Sequence, residues 1–294
     1  MNRRLWARTA WVAVIIMYGL VASGRAQPAI WQLSDDDSEV YLFGTVHILP
    51  PDMEWRTDAI DRAFEVSGTV WFEAPATDPA AQAETLRLVQ QYGLNAPGNP
   101  LSSQISSESL EKLQEVAAST GLPAVLLEPM RPWLASVTLS ATYIQAQGFQ
   151  PESGVESILW PEAEAAGKAL AYFETLEEQV RFFADLPPDI EVGYFEQTLT
   201  EFDDAAGELD ELVSAWAAGD VATIDRIMND EARESAPEVY DRLIIDRNIR
   251  WVERIDEVLA GSGTHFIAVG AGHIAGPKGI AELLRERGYT VVGP

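Results

Sequence analysis

The chain of 294 residues contains no cysteine, only three histidines, and few basic residues for its acidic content. The absence of cysteine excludes disulfide bonds, a thiol nucleophile and a zinc ribbon, so a metal site would have to use nitrogen and oxygen ligands. Lysine and arginine number 20 against 46 aspartates and glutamates, which gives a formal net charge of -26. Because such a surface repels phosphate backbones, we predict that the protein does not bind nucleic acid.

Long apolar runs are scarce as well, and the longest one lies near the N-terminus. It extends over about a dozen residues from Trp11 to Ala22, which is short for a membrane span of roughly 20 residues. Three arginines precede it and small residues up to Ala26 follow it, an order typical of a cleaved secretory signal peptide. We therefore predict a signal peptide over 1–26, a periplasmic or secreted mature protein, and membrane attachment only where the signal stays uncleaved.

Two of the three histidines share one local pattern, Gly-x-x-His at the end of an apolar run. His47 follows Gly44, and His273 follows Gly270. In an open α/β sheet, ligands bind beyond the carboxyl ends of the strands, so both imidazoles are expected at a shared site. Such a pair could hold a divalent metal or serve as acid and base. Two unrelated core histidines are the alternative, and the third, His265, is expected to be structural.

The hydrophobic pattern predicts an α/β fold: a central mixed β-sheet flanked by helices, with a helix-rich insertion in the middle of the chain, about 79–260, and a single domain over 27–294. Gly-rich and acidic turns delimit the expected strands 29–33, 39–43, 69–73, 169–173, 265–269 and 289–292. Helical periodicity covers 57–66, 79–92, 107–120 with Ser107 as its N-cap, 131–147, 155–166, 176–185, 190–217, 221–228, 237–260 and 279–287. The last two expected strands, 265–269 and 289–292, are expected to pair in parallel through the helix between them.

Four further side chains could take part in catalysis or binding, and each also has an ordinary structural explanation. Glu73 ends a predicted strand, but it precedes Ala74-Pro75 and could close a turn. Glu156 follows Gly154-Val155 and could favour the dipole of the next helix. Arg247 and Asn248 lie on an amphipathic helix, where an Asp246–Arg247 ion pair could fix the helix to the sheet.

Taken together, these motifs resemble the TraB/GumN family over nearly the whole mature chain. That family is related to the Tiki metalloproteases and, more distantly, to erythromycin esterases and ChaN-like haem-binding lipoproteins. The resemblance implies an α/β fold with paired Gly-x-x-His motifs at one site. It rests on Leu42-Phe43-Gly44-Thr45-Val46-His47, Glu73, Gly154-Val155-Glu156, Asp246-Arg247-Asn248 and Val269-Gly270-Ala271-Gly272-His273.

Carried over by position, the resemblance implies that His47, Glu73 and His273 ligate a divalent transition metal such as manganese, cobalt or zinc. An open coordination position would let a bound water ionise and attack a carbonyl. Glu156 would then be the general base, and Arg247 or Asn248 would polarise the carbonyl or bind the oxyanion. The expected substrate is a peptide or a small ester.

Three functions remain open at this point. The first is an exported metal-dependent hydrolase, with peptide bonds as its substrate. The second is a non-catalytic periplasmic protein that binds a peptide, a metal or haem, and the third is a metal-free esterase. Convergence of His47, Glu73 and His273 in an acidic cleft favours the first, whereas a deep apolar pocket favours haem. The oligomeric state is left open.

Overall fold

The computed structural model describes residues 26–78, 80–202 and 205–294. The predicted signal peptide therefore lies outside the described residues, apart from Ala26. None of the helices in the described ranges is long and apolar enough to cross a membrane.

A five-stranded mixed sheet forms the centre of the described part, and the predicted α/β fold is confirmed. Its order is β1-β2-β5-β3-β4, in which β1 is antiparallel to β2 and all other neighbours are parallel. The strand that comes last in the chain thus lies in the middle of the sheet. The strands are β1 Ile30–Ser34, β2 Ser38–Thr45, β3 Thr69–Phe72, β4 Ala169–Tyr172 and β5 Gly263–Gly270.

Helices cover both faces of this sheet and form a separate layer in the middle of the chain. Their bounds are α1 Asp58–Val66, α2 Ala81–Tyr92, α3 Ser107–Thr120, α4 Pro132–Ala146, α5 Val155–Ala165, α6 Leu176–Ala184, α7 Pro188–Glu201, α8 Ala205–Ala218, α9 Val221–Asp225, α10 Glu231–Ser235, α11 Pro237–Tyr240, α12 Asp246–Leu259, α13 Ala271–Ile274 and α14 Ile280–Glu286. Two π-helical turns, Arg226–Asp230 and Asp241–Ile245, interrupt the later helices.

Alternation along the strands explains why helices pack on both faces. On β5, Phe266 and Ala268 face a core shared with α1, α5 and α8, whereas Ile267 and Val269 face a core shared with α12 and α14. Since parallel strands buried on two sides carry apolar residues at every position, this strand reads as a continuous apolar run. A third core joins α3, α4 and α7.

The prediction of a parallel strand at 289–292 is wrong. In the described structure Val292 makes one isolated antiparallel bridge, to Gln32 of β1. The last segment returns along the free edge of β1, where its direction opposes that strand. It covers an edge that would otherwise expose unpaired backbone groups.

Three helical expectations also need correction. Ser106, not Ser107, caps α3, because its side chain accepts a hydrogen bond from the backbone N–H of Ser109. The expected helix 190–217 is two helices, since α7 packs into the third core and α8 into the first. The expected helix 237–260 is likewise divided, by the π-helical turn Asp241–Ile245.

Candidate active site

The carboxyl ends of four neighbouring parallel strands supply the candidate site. Thr45 ends β2 two residues before His47, and Gly270 ends β5 three residues before His273. Glu73 directly follows β3, and Glu174 lies two residues beyond β4. The topology thus brings together His47, Glu73 and His273, the three residues predicted to share a site. Glu174 is not among the predicted site residues. Its position directly after the predicted strand 169–173 is the signal that could have indicated it.

Gly270 lies at the centre of this cluster. A Cβ atom built on it would stand 3.1 Å from Glu73 Oε1, 3.7 Å from His47 Nε2 and 3.7 Å from the His273 ring. The Gly270 N–H donates to Glu73 Oε1 over 2.8 Å, and His273 Nε2 lies 3.9 Å from the same oxygen. Glycine at this position therefore leaves open the space onto which the three side chains converge.

Glu156 orients His47. His47 Nδ1 lies 2.9 Å from Glu156 Oε1, an oxygen that also accepts a hydrogen bond from the Thr45 hydroxyl. Gly154 makes this approach possible, because a Cβ there would lie 1.9 Å from the His47 carbonyl oxygen. The Val155 N–H donates to Val46 O over 3.1 Å and ties the two segments together. His47 therefore presents its Nε2 to the cleft.

Asn248 orients His273 in a corresponding way. Its Nδ2 donates to the carbonyls of His273 and Lys278, so its Oδ1 accepts from His273 Nδ1 over 2.7 Å. This network assigns the proton of His273 to Nδ1 and leaves a lone pair on Nε2. Arg247 Nη1 donates to that nitrogen over 2.9 Å. Both site histidines thus have Nδ1 held by a neighbour and Nε2 directed inward.

Every N–H group of Arg247 has an acceptor inside the protein. Besides His273, Nη1 reaches the Leu243 carbonyl over 3.1 Å, while Nη2 reaches Glu73 Oε2 over 2.6 Å. Nε and Nη2 also bond the buried Glu174 carboxylate over 2.9 to 3.1 Å. In this arrangement Arg247 has no free donor for a substrate oxygen. The alternative ion pair with Asp246 is not formed; Glu174 and Glu73 are the partners.

Charge and burial move the pKa values of His47, His273 and Glu73 away from their usual values. The Glu156 carboxylate raises the pKa of His47 above its usual value of 6.5. Burial, together with Arg247, lowers the pKa of His273 to about 3, which keeps this imidazole neutral. Burial opposes ionisation of Glu73, yet the charges of Arg247 and His47 and the hydrogen bond from the Gly270 N–H hold its pKa well below the usual range.

A cavity of about 290 Å³, lined by both polar and apolar side chains, opens beside these groups. Its lining includes His47, Glu73, Glu156 and Gln179, whose Nε2 lies 3.3 Å from Glu73 Oε2. His47 has 62% of its side chain exposed, whereas Glu156 has 13%. A ligand that enters this cavity meets the exposed His47 ring, with Glu73 and Glu156 beside it and Phe72 and Ala74 as apolar neighbours.

His265 lies apart from this cluster, near the start of β5. Its Nδ1 accepts a hydrogen bond from Trp71 Nε1 over 3.3 Å. Burial lowers its pKa. The contact supports the structural role expected for this histidine.

The site chemistry suits a divalent transition metal in its donor types. Ligating histidines present one ring nitrogen while the other donates to a carboxylate or carbonyl oxygen, as His47 and His273 do here. Glu156 Oε2 is buried without a hydrogen-bond partner, a further sign that the site can take a positive group. Arg247 stands against this, because it holds the lone pair of His273. In the described ranges, no three His, Asp or Glu side chains form a ready coordination group.

Comparisons with known proteins agree with the resemblance seen in the motifs. The model of the TraB/PrgY/gumN family matches residues 29–292. The uncharacterized protein YbaP of Escherichia coli is 27% identical over 185 residues, which cover 63% of this chain and 68% of YbaP. Metalloprotease TIKI2 of Danio rerio is 25% identical over 303 residues, covering 85% of this chain but 57% of TIKI2. No solved structure gives a significant match.

Proposed function

The chain belongs to the TraB/PrgY/gumN family, and from this premise we propose that it is an exported hydrolase of peptide bonds that uses a divalent transition metal. The observation that carries the proposal is the convergence of His47 Nε2, Glu73 Oε1 and the His273 ring on the space beside Gly270. The similarity to a relative named as a metalloprotease supports the same chemistry.

In this proposal His47, Glu73 and His273 would hold the metal, which when bound would supply Lewis acidity toward a water molecule and a substrate carbonyl. Glu156 keeps the proton of His47 on Nδ1, and Asn248 does the same for His273. These contacts direct both Nε2 atoms inward before any ligand arrives. Because Thr45 and His47 occupy Glu156 Oε1 and its Oε2 is buried away from the cavity surface, we assign Glu156 the orientation of His47 in place of the expected role of general base.

Metal analysis of the purified protein tests this proposal, with His47→Ala, His273→Ala and the matched control His265→Asn. We expect about one metal ion per chain after incubation with manganese, cobalt or zinc. Both alanine variants should lose it, and His265→Asn should keep it. A chelator should abolish cleavage of an unstructured peptide, and added metal should restore it. No metal in any sample would contradict the proposal.

A metal-free hydrolase is the second candidate, and the contact between Arg247 and His273 favours it. The raised pKa of His47 makes this residue a proton donor at neutral pH, and its exposed ring reaches the cavity. The chelator experiment separates the two candidates. Cleavage that persists without metal but fails in His47→Ala would favour the second.

The proposed export rests on the residue pattern of 1–26 alone. Fractionation of producing cells, followed by N-terminal sequencing of the mature chain, tests it. A mature chain that begins at or near Gln27 outside the cytoplasm is expected. A cytoplasmic chain that retains Met1 would contradict it.

A further inference from the structure

The Arg247 guanidinium and a ligated metal ion would require the same atom. Arg247 Nη1 lies 2.9 Å from His273 Nε2, and this nitrogen is the one ring atom of His273 that Asn248 leaves available. A metal–nitrogen bond of roughly 2.0 to 2.1 Å uses the lone pair that now accepts the Arg247 proton. The two cations therefore cannot occupy His273 at the same time.

The surroundings of Arg247 hold it firmly in this position. The buried Glu174 carboxylate accepts from its Nε and Nη2, and the same carboxylate accepts from Trp251 Nε1 over 3.0 Å. The rings of Phe182 and Trp251 lie 5.1 and 4.7 Å from the guanidinium carbon. Contacts of this kind, with charge, aromatic faces and hydrogen bonds on one group, fix a guanidinium well.

We propose that Arg247 is an internal competitor that sets the metal affinity of the site: its guanidinium holds His273 Nε2 in the metal-free protein and must leave it when a divalent ion binds. The inference rests on the proposed metal dependence. Glu174 acts through Arg247 as its anchor. The consequence is a site that takes up metal less tightly than its ligands alone would allow and releases it more readily.

Calorimetric titration with MnCl₂ tests the inference in the wild type, Arg247→Met and Arg250→Met. A hydrogen bond to a charged group contributes about 1.5 to 3 kcal/mol, which corresponds to about tenfold to a hundredfold tighter Mn²⁺ binding by Arg247→Met. Arg250→Met is the matched control. Arg250 also approaches Glu174, over 3.4 Å, but its side chain is 49% exposed, and we expect the wild-type affinity.

Two double variants test whether the tighter binding requires the unpaired Glu174 carboxylate and whether it still uses His273. Arg247→Met/Glu174→Gln removes the carboxylate left without its partner, and the tighter binding should persist. Arg247→Met/His273→Ala should bind no Mn²⁺, like His273→Ala alone, which shows that the tighter binding still uses His273. The rise in melting temperature on addition of Mn²⁺ is a second measurement, and it should be larger in Arg247→Met than in the wild type.

The results also distinguish this inference from the proposed function. If the wild type binds Mn²⁺ through both site histidines and Arg247→Met binds no tighter, the competitor is refuted while the metal site stands. If the gain disappears in Arg247→Met/Glu174→Gln, the unpaired Glu174 causes it and the inference is also refuted. If neither the wild type nor Arg247→Met binds, the metal site and the competitor fail together.

Discussion

Gly154 and His47 approach each other so closely that a side chain on Gly154 would occupy the position of the His47 carbonyl. The distance from a Cβ on Gly154 to that oxygen would be 1.9 Å. Both partners of the approach are backbone, which has no side-chain freedom to yield. The Gly-x-acid motif therefore holds the first histidine motif against the start of α5.

Gly154→Ala should accordingly destabilise the protein by about 3 kcal/mol, the cost of a severe overlap in a packed region. It should also separate Glu156 from His47. Chemical denaturation measures the first effect. Gly68→Ala is the control, since a Cβ at Gly68 meets nothing within 4 Å. Equal stability of the two variants would contradict the close approach.

Glu156→Gln should lower the pKa of His47 towards 6.5, because the carboxylate charge is the main cause of its elevation. A group with a raised pKa in the folded protein contributes stability that is complete below its unfolded pKa. That contribution disappears as the pH rises from about 6.5 to about 9 in the wild type, and the variant should lack this loss. A ¹H–¹⁵N titration of the three imidazoles measures the change, and His265 provides an internal reference.

His265 should affect stability at the opposite end of the pH range. Burial lowers its pKa in the folded protein, so the unfolded chain takes up the proton first as the pH falls. Its contribution is complete above about pH 6.5 and disappears below that value. His265→Asn should reduce the loss of stability between pH 7 and pH 5. Urea denaturation at several pH values measures the free energy of unfolding. If this free energy changes with pH equally in both proteins, His265 has the same pKa in the folded and the unfolded chain.

Gly270→Ala should damage the site with little effect on the fold. The added methyl group fills the space between Glu73 Oε1, His47 Nε2 and the His273 ring, at 3.1 to 3.7 Å from each. A displacement of reacting groups by even 1 Å costs about a hundredfold in rate, and we expect a loss of this size in peptide cleavage. Gly193→Ala, where a Cβ meets nothing within 4 Å, should retain cleavage. A fully active Gly270→Ala would show that this space is not used.

The sequence predicts the strands that end at the site because their patterns are local. The apolar runs before His47 and Glu73 and before Gly270 need no knowledge of their neighbours to be recognised. The strand order is different, since it depends on which partners each run finds in the folded chain. The segment 289–292 shows this: its β-rich residues are consistent with a sixth strand, yet only Val292 forms a backbone bridge to β1.

The hydrogen-bond partners at the site could not be predicted from the sequence for the same reason. Arg247 precedes Asn248 on α12, and nothing in their spacing indicates that Glu174, 73 residues earlier, accepts bonds from Arg247. The π-helical turn before α12 is also unmarked by glycine or proline, although the Leu243 carbonyl within it accepts from Arg247. Residue types were predictable, whereas their pairing required the fold.

The placement of β5 couples completion of the chain to the appearance of the site. This strand pairs with β2 on one side and β3 on the other, although it follows every other described strand in the chain. Until it inserts, His47 and Glu73 belong to two unjoined parts of the sheet, and Gly270 and His273 are absent from both. A chain still being made thus carries its reactive groups in separate pieces. Late insertion of one strand therefore delays any chemistry at this site until the molecule is whole.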